Sequence, residues 1–389
     1  MGNQPNQALR FVLLLGLVSL FADVTYEGAR SITGPYLSIL GAGAAVVGLI
    51  AGFGEFIGYG FRVVSGVVSD RTRRYWAVAI AGYAVNLLAV PLLALAGNWP
   101  AAAALIVAER LGKAIRNPAR DAMLSHASHR LGRGWAFGVH EALDQIGAVL
   151  GPLAVAGALA WKGSYRYGFA VLGIPAALAL ATLAVARVTY PRPRDLEPEL
   201  RAGEPARLSP AFPLYLAAAA CIALGFVDYS LAAYHMKTAA VVADEWIPLL
   251  YAGAMGVDAV SALVLGRWYD RKGLPVLWAA VAASAWCAPL VFLSGPWGLM
   301  AGMALWGAGM GAQESVLRAV VAELVPRDRR ATGYGVFNAG FGLAWFAGSA
   351  LMGLLYERSK IALAAFSVAA QLASLPLLYA VHRRLRLIR

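Results

Sequence analysis

Charge is what this chain has little of. Only 14% of its 389 residues are Asp, Glu, Lys or Arg, against about 25% in an ordinary soluble domain. The deficit is deepest among the acids, 21 against 33 basic residues. With 60% hydrophobic residues and a mean hydropathy of +0.64, this excludes a soluble enzyme on a small anchor, and equally a disordered chain. Cysteine is nearly absent. Cys221 and Cys287 lie inside apolar runs, too few for a disulfide framework and without metal-ligand spacing, and read as small buried hydrophobes. Apolar–polar alternation is missing, which argues against an outer-membrane barrel. There is no phosphate-binding glycine loop to suggest ATP drive, no nucleophile motif to suggest an enzyme, and no Met/His cluster beyond Met236 beside His235 to suggest a metal carrier. No cofactor and no metal site is expected.

What the chain has instead is long apolar runs. Twelve segments of helical length follow one another, roughly 9–37, 44–69, 76–96, 100–125, 134–160, 166–188, 212–236, 246–269, 274–293, 296–323, 331–356 and 361–382, against the about 20 residues that a membrane helix needs. The expected fold is an all-α membrane protein of twelve transmembrane helices. The first run begins near Leu9 and passes Leu20 without a small-residue cleavage site, so it reads as a span rather than a cleavable leader.

Basic residues in the loops give the topology. Counting loops alternately, the N-terminal side carries twenty-one: Arg10; Arg71, Arg73 and Arg74; Arg130 and Arg133; five between Arg187 and Arg207; Arg267, Arg271 and Lys272; Arg327, Arg329 and Arg330; and four from Arg383 onward. The opposite side carries five: Lys162, Arg166, Lys237, Arg358 and Lys360. Both termini are therefore expected in the cytoplasm and the protein in the cytoplasmic (inner) membrane. The pI near 9.9 follows from this distribution and calls for no nucleic-acid partner; the expected surroundings are the lipid bilayer, and the expected state a monomer.

The stretch 189–210 breaks the apolar pattern with Pro191, Pro193, Pro198, Pro205 and Pro210 among mixed charges. It reads as a cytoplasmic linker between an N-terminal six-helix bundle, 1–188, and a C-terminal one, 211–389. The halves resemble each other. Gly66-Val-Val-Ser-Asp70-Arg71 recurs 200 residues later as Gly266-Arg-Trp-Tyr-Asp270-Arg271, and Phe137-Gly138 through Gly151 recurs 197 residues later as Tyr334-Gly335 through Gly348. Two matches at nearly one offset point to a duplicated unit, a known transporter plan with its site near the bilayer midplane between the repeats.

Gly66-x-x-x-Asp70-Arg71-x-Arg73-Arg74 resembles the signature loop of the major facilitator superfamily, G-x-x-x-D-R-x-G-R-R, with Arg73 in place of the second glycine and Tyr75 in place of the last basic residue. Arg110-Leu-Gly112 resembles the family's span-four arginine motif, associated with proton coupling. Gly147-x-x-x-Gly151-Pro152 resembles its antiporter motif, although Val155 and Ala156 replace the paired glycines that follow the proline. As packing, those two glycines form a small-xxx-small face. The resemblance covers essentially the whole chain. It implies two six-helix bundles and a secondary transporter, of a prokaryotic branch to which no substrate attaches. In the family fold spans one and four line the N-terminal half of the central cavity.

Removing the loop cations leaves seven basic residues within spans, Arg30, Arg62, Arg110, Lys113, Arg116, Arg120 and Arg318, and ten acids, Asp23, Glu27, Glu55, Glu109, Asp121, Glu141, Asp144, Asp228, Asp258 and Glu314. An ionisable group at membrane depth is a functional candidate by default. Asp23, Glu27 and Arg30 share one face of span one; Glu109, Lys113, Arg116 and Arg120 share one face of span four. Either these are buried ion pairs that fix helix register, or they line a wet polar cavity. In the second reading Arg30, Lys113 and Arg116 could hold an anion, with Glu27 and Tyr26 beside them. Asp23, Glu27, Glu109, Arg110, His140 and Asp144 are the proton-coupling candidates; His140 and Asp144 sit at i, i+4, and His140 is either a relay or a structural histidine. Gly66, Asp70, Arg71, Arg74, Arg120, Asp121, Asp270 and Arg271 are the gating candidates, Asp70 forming either a latch between two states or a solvated turn.

These features lead to an expected secondary active transporter moving a small polar or anionic solute by alternating access, with protons as the coupling partner. The alternative is a proton-driven multidrug or toxic-compound efflux antiporter. A receptor or lipid scramblase on the same scaffold is a third possibility, without a sensor domain in the sequence to support it.

Overall fold

A computed structural model describes residues 4–131, 133–191, 209–325 and 330–388. The side chain of Asp70, those of 125–138, and residues 192–208 of the linker lie outside the described residues. Apart from short turns the described residues are helical, which satisfies the backbone polar groups internally, as hydrocarbon surroundings require. The helices are α1 (Gln4–Ile39), α2 (Ala44–Thr72), α3 (Tyr75–Leu92), α4 (Trp99–Leu131), α5 (Arg133–Lys162), α6 (Tyr165–Val171), α7 (Gly173–Thr189), α8 (Phe212–Gly225), α9 (Tyr229–Thr238), α10 (Trp246–Lys272), α11 (Pro275–Ser284), α12 (Cys287–Leu293), α13 (Pro296–Ala312), α14 (Arg318–Leu324), α15 (Arg330–Arg358) and α16 (Lys360–Ile388), with a π turn at Gln313–Leu317 joining α13 to α14.

Among the described residues ten helical segments are long and apolar enough to cross a membrane. The expected count of twelve differs from this for two physical reasons. Helix α4 carries Glu109, Arg110, Lys113, Arg116, Arg120 and Asp121 along its length, and α13 is only 17 residues long before the π turn interrupts it.

Contacts divide the chain into two compact units, Met1–Ile32 with Gly60–Arg201, and Thr33–Tyr59 with Ala202–Arg389. In the first unit α3 packs along α4, and α5 lies against α4 and α6. Glycines set these distances. A methyl group on Gly112 would strike the backbone of Asn86 and Gly82, and one on Gly151 would strike the Val24 carbonyl and lie 2.8 Å from the Gly28 nitrogen. In the second unit α8 packs against α15 and α16, and the ends of α1 and α2 within 33–59 pack there too. Gly48 abuts the Ser349 carbonyl, and Glu357 Oε1 at the end of α15 accepts a 2.9 Å hydrogen bond from Ala45 N in the first turn of α2.

The internal duplication is visible in these contacts. Gly151 meets the Val24 carbonyl, and Gly348, 197 residues later, meets that of Leu224, 200 residues after Val24. A methyl added to Gly66 would lie 3.6 Å from Pro118 Cβ, and one added to Gly266 3.8 Å from Ser315 Cβ. Most telling is the turn after each signature. Gly273 is left-handed with φ 70°, its N–H bonded to the Tyr269 carbonyl at 2.7 Å. Arg73, its counterpart, has φ 57° and bonds the Ser69 carbonyl at 2.9 Å. The first copy thus keeps a glycine conformation without a glycine, and a β-carbon there is strained. Arg73→Gly is expected to stabilise the protein by about 1 kcal/mol, read as a rise in the thermal unfolding midpoint in detergent; an unchanged or lowered midpoint would contradict it.

Candidate functional site

The first unit gathers the charges that the sequence singles out. Helices α1 and α4 run antiparallel, so their two stripes meet in reverse order. Asp23 Oδ1 lies 3.6 Å from Arg116 Nη2, and one turn along, Glu27 Oε1 lies 3.9 Å from Lys113 Nζ. Arg116 is wholly buried, whereas the Lys113 side chain keeps 20% of its surface. Aromatic rings complete both pairs. Lys113 Nζ stands 3.4 Å from the centroid of Tyr26, which also receives Arg110 at 4.8 Å, and Arg116 stacks at 4.4 Å over Tyr83. Cations over ring faces recover part of the solvation they lose on burial.

Around this centre lie two further groups. Glu109 pairs with Arg110 Nε at 3.5 Å and accepts from Asn86 Nδ2 at 2.6 Å. In the second group, His140 Nδ1 lies 3.5 Å from Asp144 Oδ2, and its Nε2 lies 2.9 Å from Ser19 Oγ. Arg120 donates to Ser19 Oγ at 3.2 Å and to Asp121 Oδ1 at 3.0 Å, and stands 3.8 Å from Asp144. The geometry therefore brings Tyr26, Glu27, Glu109, Arg110 and Lys113 together, sets Asp23 against Arg116 one turn along, and places Arg120 and Asp121, named as gating residues, in the group around Asp144. Arg30 is half-buried on α1. Gly66 rests on Pro118, and Arg71, Arg74, Asp270 and Arg271 are exposed at the ends of α2 and α10. Asp70 falls outside the described side chains.

Three contributors escaped the reading of the sequence. Ser19 lies four residues before Asp23 on the same helical face, and Asn86 is the single amide in an otherwise apolar α3, with Tyr83 one turn away. Those placements were the available signal. Conversely, Asp228 serves the backbone. It N-caps α9, its Oδ1 accepting from Ser230 N at 2.8 Å and its Oδ2 from Trp345 Nε1 at 3.3 Å. Among the described residues no group of three His, Cys, Asp or Glu is placed to hold a metal ion.

An uncharacterized protein of Mycobacterium tuberculosis is 45% identical over 381 residues, covering 96% of this chain and 93% of its own. An uncharacterized MFS-type transporter of Methanocaldococcus jannaschii is 26% identical over 358 residues, 90% of this chain and 89% of its own. Among solved structures, a D-xylose–proton symporter aligns with a TM-score of 0.68 at 13% identity, over 95% of this chain and 97% of its own, a likeness of fold. The Major Facilitator Superfamily model matches residues 15–349 and again 245–384. With its membrane-length helices and its repeated signature turns, the chain belongs to the major facilitator superfamily, a family of multi-pass membrane transporters.

Proposed function

We propose that this chain is a secondary active transporter that moves a small polar or anionic solute across the cytoplasmic membrane by alternating access, coupled to protons. In this reading α4 and α13 with α14 complete twelve spans, 1–188 and 211–389 are the two bundles joined by 189–210, and both termini face the cytoplasm. The observation that carries it is the buried cluster on α1 and α4. Arg110, Lys113 and Arg116 stand with Asp23, Glu27 and Glu109. Ionisable groups gathered at membrane depth mark a solute or proton path, and the partly exposed Lys113 offers an anionic guest a cation to meet. Lys113, the most exposed of the α4 cations in ion pairs, is the first contact for a solute, with Tyr26, Glu27 and Arg30 beside it and Arg116 behind. Asp23, Glu27, Glu109, Arg110, His140 and Asp144 carry the coupling. Gly66, Asp70, Arg71, Arg74, Arg120, Asp121, Asp270 and Arg271 serve the gates. Proton coupling is also what the xylose symporter's name states of that protein.

The efflux alternative draws on Gly147 and Gly151. Both are used in packing, Gly147 lying where a methyl would come 2.5 Å from the Leu20 carbonyl, and the cations Arg110 and Lys113 over Tyr26 disfavour lipophilic cations. The test is flux of labelled carboxylates and phosphate esters in proteoliposomes with an imposed pH gradient. At least one solute is expected to move severalfold faster with the gradient than without, and Lys113→Ala to abolish the difference. Solute flux indifferent to the gradient would sink the coupling, and accumulation of lipophilic cations alone would favour the antiporter.

A further inference from the structure

The ion pair between Asp23 and Arg116 leaves much unsatisfied. All three guanidinium nitrogens of Arg116 are buried without a hydrogen-bond acceptor in the protein, and the pair's 3.6 Å is too long to supply one. Two other atoms nearby share this condition. The hydroxyl of Tyr83, whose ring lies under Arg116, is buried without a protein partner. So is Asp144 Oδ1, while its other oxygen faces His140 and Arg120. Asp144 stands one helical turn before Gly147, where an added methyl would lie 3.1 Å from Asp23 Cβ. Buried polar atoms of native proteins almost all find a partner, and where the protein offers none, ordered water does.

We infer that α1, α3, α4 and α5 enclose a buried water site, held by Arg116, Tyr83 and Asp144, that relays protons between the carboxyl groups of Asp23 and Asp144. This rests on the proton coupling proposed above and assigns its internal route. The guanidinium donates to the water oxygen and orients one water hydrogen toward Asp144 Oδ1, leaving a lone pair for the proton of the Asp23 carboxyl. A proton leaving the Asp23 carboxyl binds the water oxygen as the water gives one of its own hydrogens to Asp144 Oδ1. One proton is transferred, the water is regenerated, and Arg116 stays a cation throughout. Because a hydronium beside a guanidinium is disfavoured by like charge, the two transfers are concerted. Asp144 is held for this role from every side. Arg120 faces it from α4 and His140 from its own helix, and the charges of Arg116 on α4, Asp23 on α1 and Glu141 on α5 act on it as well. His140 is fixed in turn by Ser19. Beyond Arg120, the half-exposed Asp121 gives the relay a way to bulk water, and Asp23 leads toward Glu27 and Lys113. The two carboxylates are thus stations on either side of one water.

The test needs no solute. Proteoliposomes adsorbed on a solid-supported membrane receive an acid pulse, and the displaced charge is recorded against protein-free vesicles. Asp144→Asn is expected to lower the displaced charge below that of the wild type, since one carboxyl station of the relay is lost. Tyr83→Phe keeps the ring under Arg116 and removes only the hydroxyl. It is expected to leave the amount of charge unchanged and to slow its relaxation severalfold. Wild-type signal size in Asp144→Asn, or wild-type relaxation in Tyr83→Phe, would each overturn the relay. Should Asp144→Asn fail to fold, the Tyr83→Phe relaxation decides alone. Currents that follow this pattern while solute flux ignores the pH gradient would sink the transport coupling and leave the relay standing. Gradient-driven flux with currents indifferent to both variants would do the reverse.

Discussion

Arg116→Ala is expected to destabilise the protein by about 3–5 kcal/mol, the scale for stripping one partner from a buried ion pair. The residue is fully buried, it neutralises Asp23, and its guanidinium covers the face of Tyr83. Alanine removes the charge, the stacking and the volume together, leaving a carboxylate in low dielectric. The paired change Asp23→Leu with Arg116→Met removes both charges and fills the space. It is expected to recover most of the stability, because replacing a buried pair by apolar groups is often neutral, and to remain silent in gradient-driven flux. Thermal unfolding in detergent measures the first effect and the recovery, vesicle assays the second. A double variant as unstable as Arg116→Ala would show that packing over Tyr83, between α3 and α4, outweighs charge compensation between α1 and α4.

Gly112→Ala is expected to be nearly as damaging despite adding one methyl. That methyl would lie 2.7 Å from the Gly82 carbonyl and 2.8 Å from Asn86 Cα, and closer still to the Asn86 nitrogen. Backbone cannot rotate away as a side chain can, so α3 and α4 must separate. Overpacking of this kind costs about 1–3 kcal/mol or more. It also displaces Asn86 from Glu109, so flux is expected to fall together with stability. Gly157→Ala is the matched control, since nothing lies within 4 Å of its added methyl. Equal unfolding midpoints for the two alanine variants would refute the account.

The sequence exposed the ionic stripes well, because a charge at helical spacing in an apolar run has no other local explanation. Asp23 and Glu27 do face α4, and Arg116 and Lys113 are their partners. What spacing cannot carry is which partner across the gap each residue takes. Ser19, Tyr83 and Asn86 are ordinary residues of apolar helices until a neighbour makes them polar contacts. Composition also misjudges α4, since charges that satisfy one another across helices look locally like solvent-facing ones. Asp228 shows the opposite error, an acid at membrane depth whose task is to cap a helix restarted after Phe226.

The repeat explains why the chemistry is one-sided. At the same offsets, Asp23 and Glu27 correspond to Ala223 and Val227, Glu109 to Trp306, Arg116 to Gln313, and Asp144 to Phe341. The second unit keeps the glycine seams and fills the charged positions with packing, as Trp306 does by donating to the Val227 carbonyl at 2.8 Å.

Gln313 also opens the π turn of Gln313–Leu317, and this gives the corresponding helix something that α4 lacks. A π turn holds one residue more than α geometry requires. That residue is mechanical slack. It can pass along the helix by exchanging one hydrogen bond at a time, so α14 can rotate relative to α13 without the helix ever breaking. The second unit lacks the ion pairs of α1 and α4 at the corresponding positions, and it owns a joint instead.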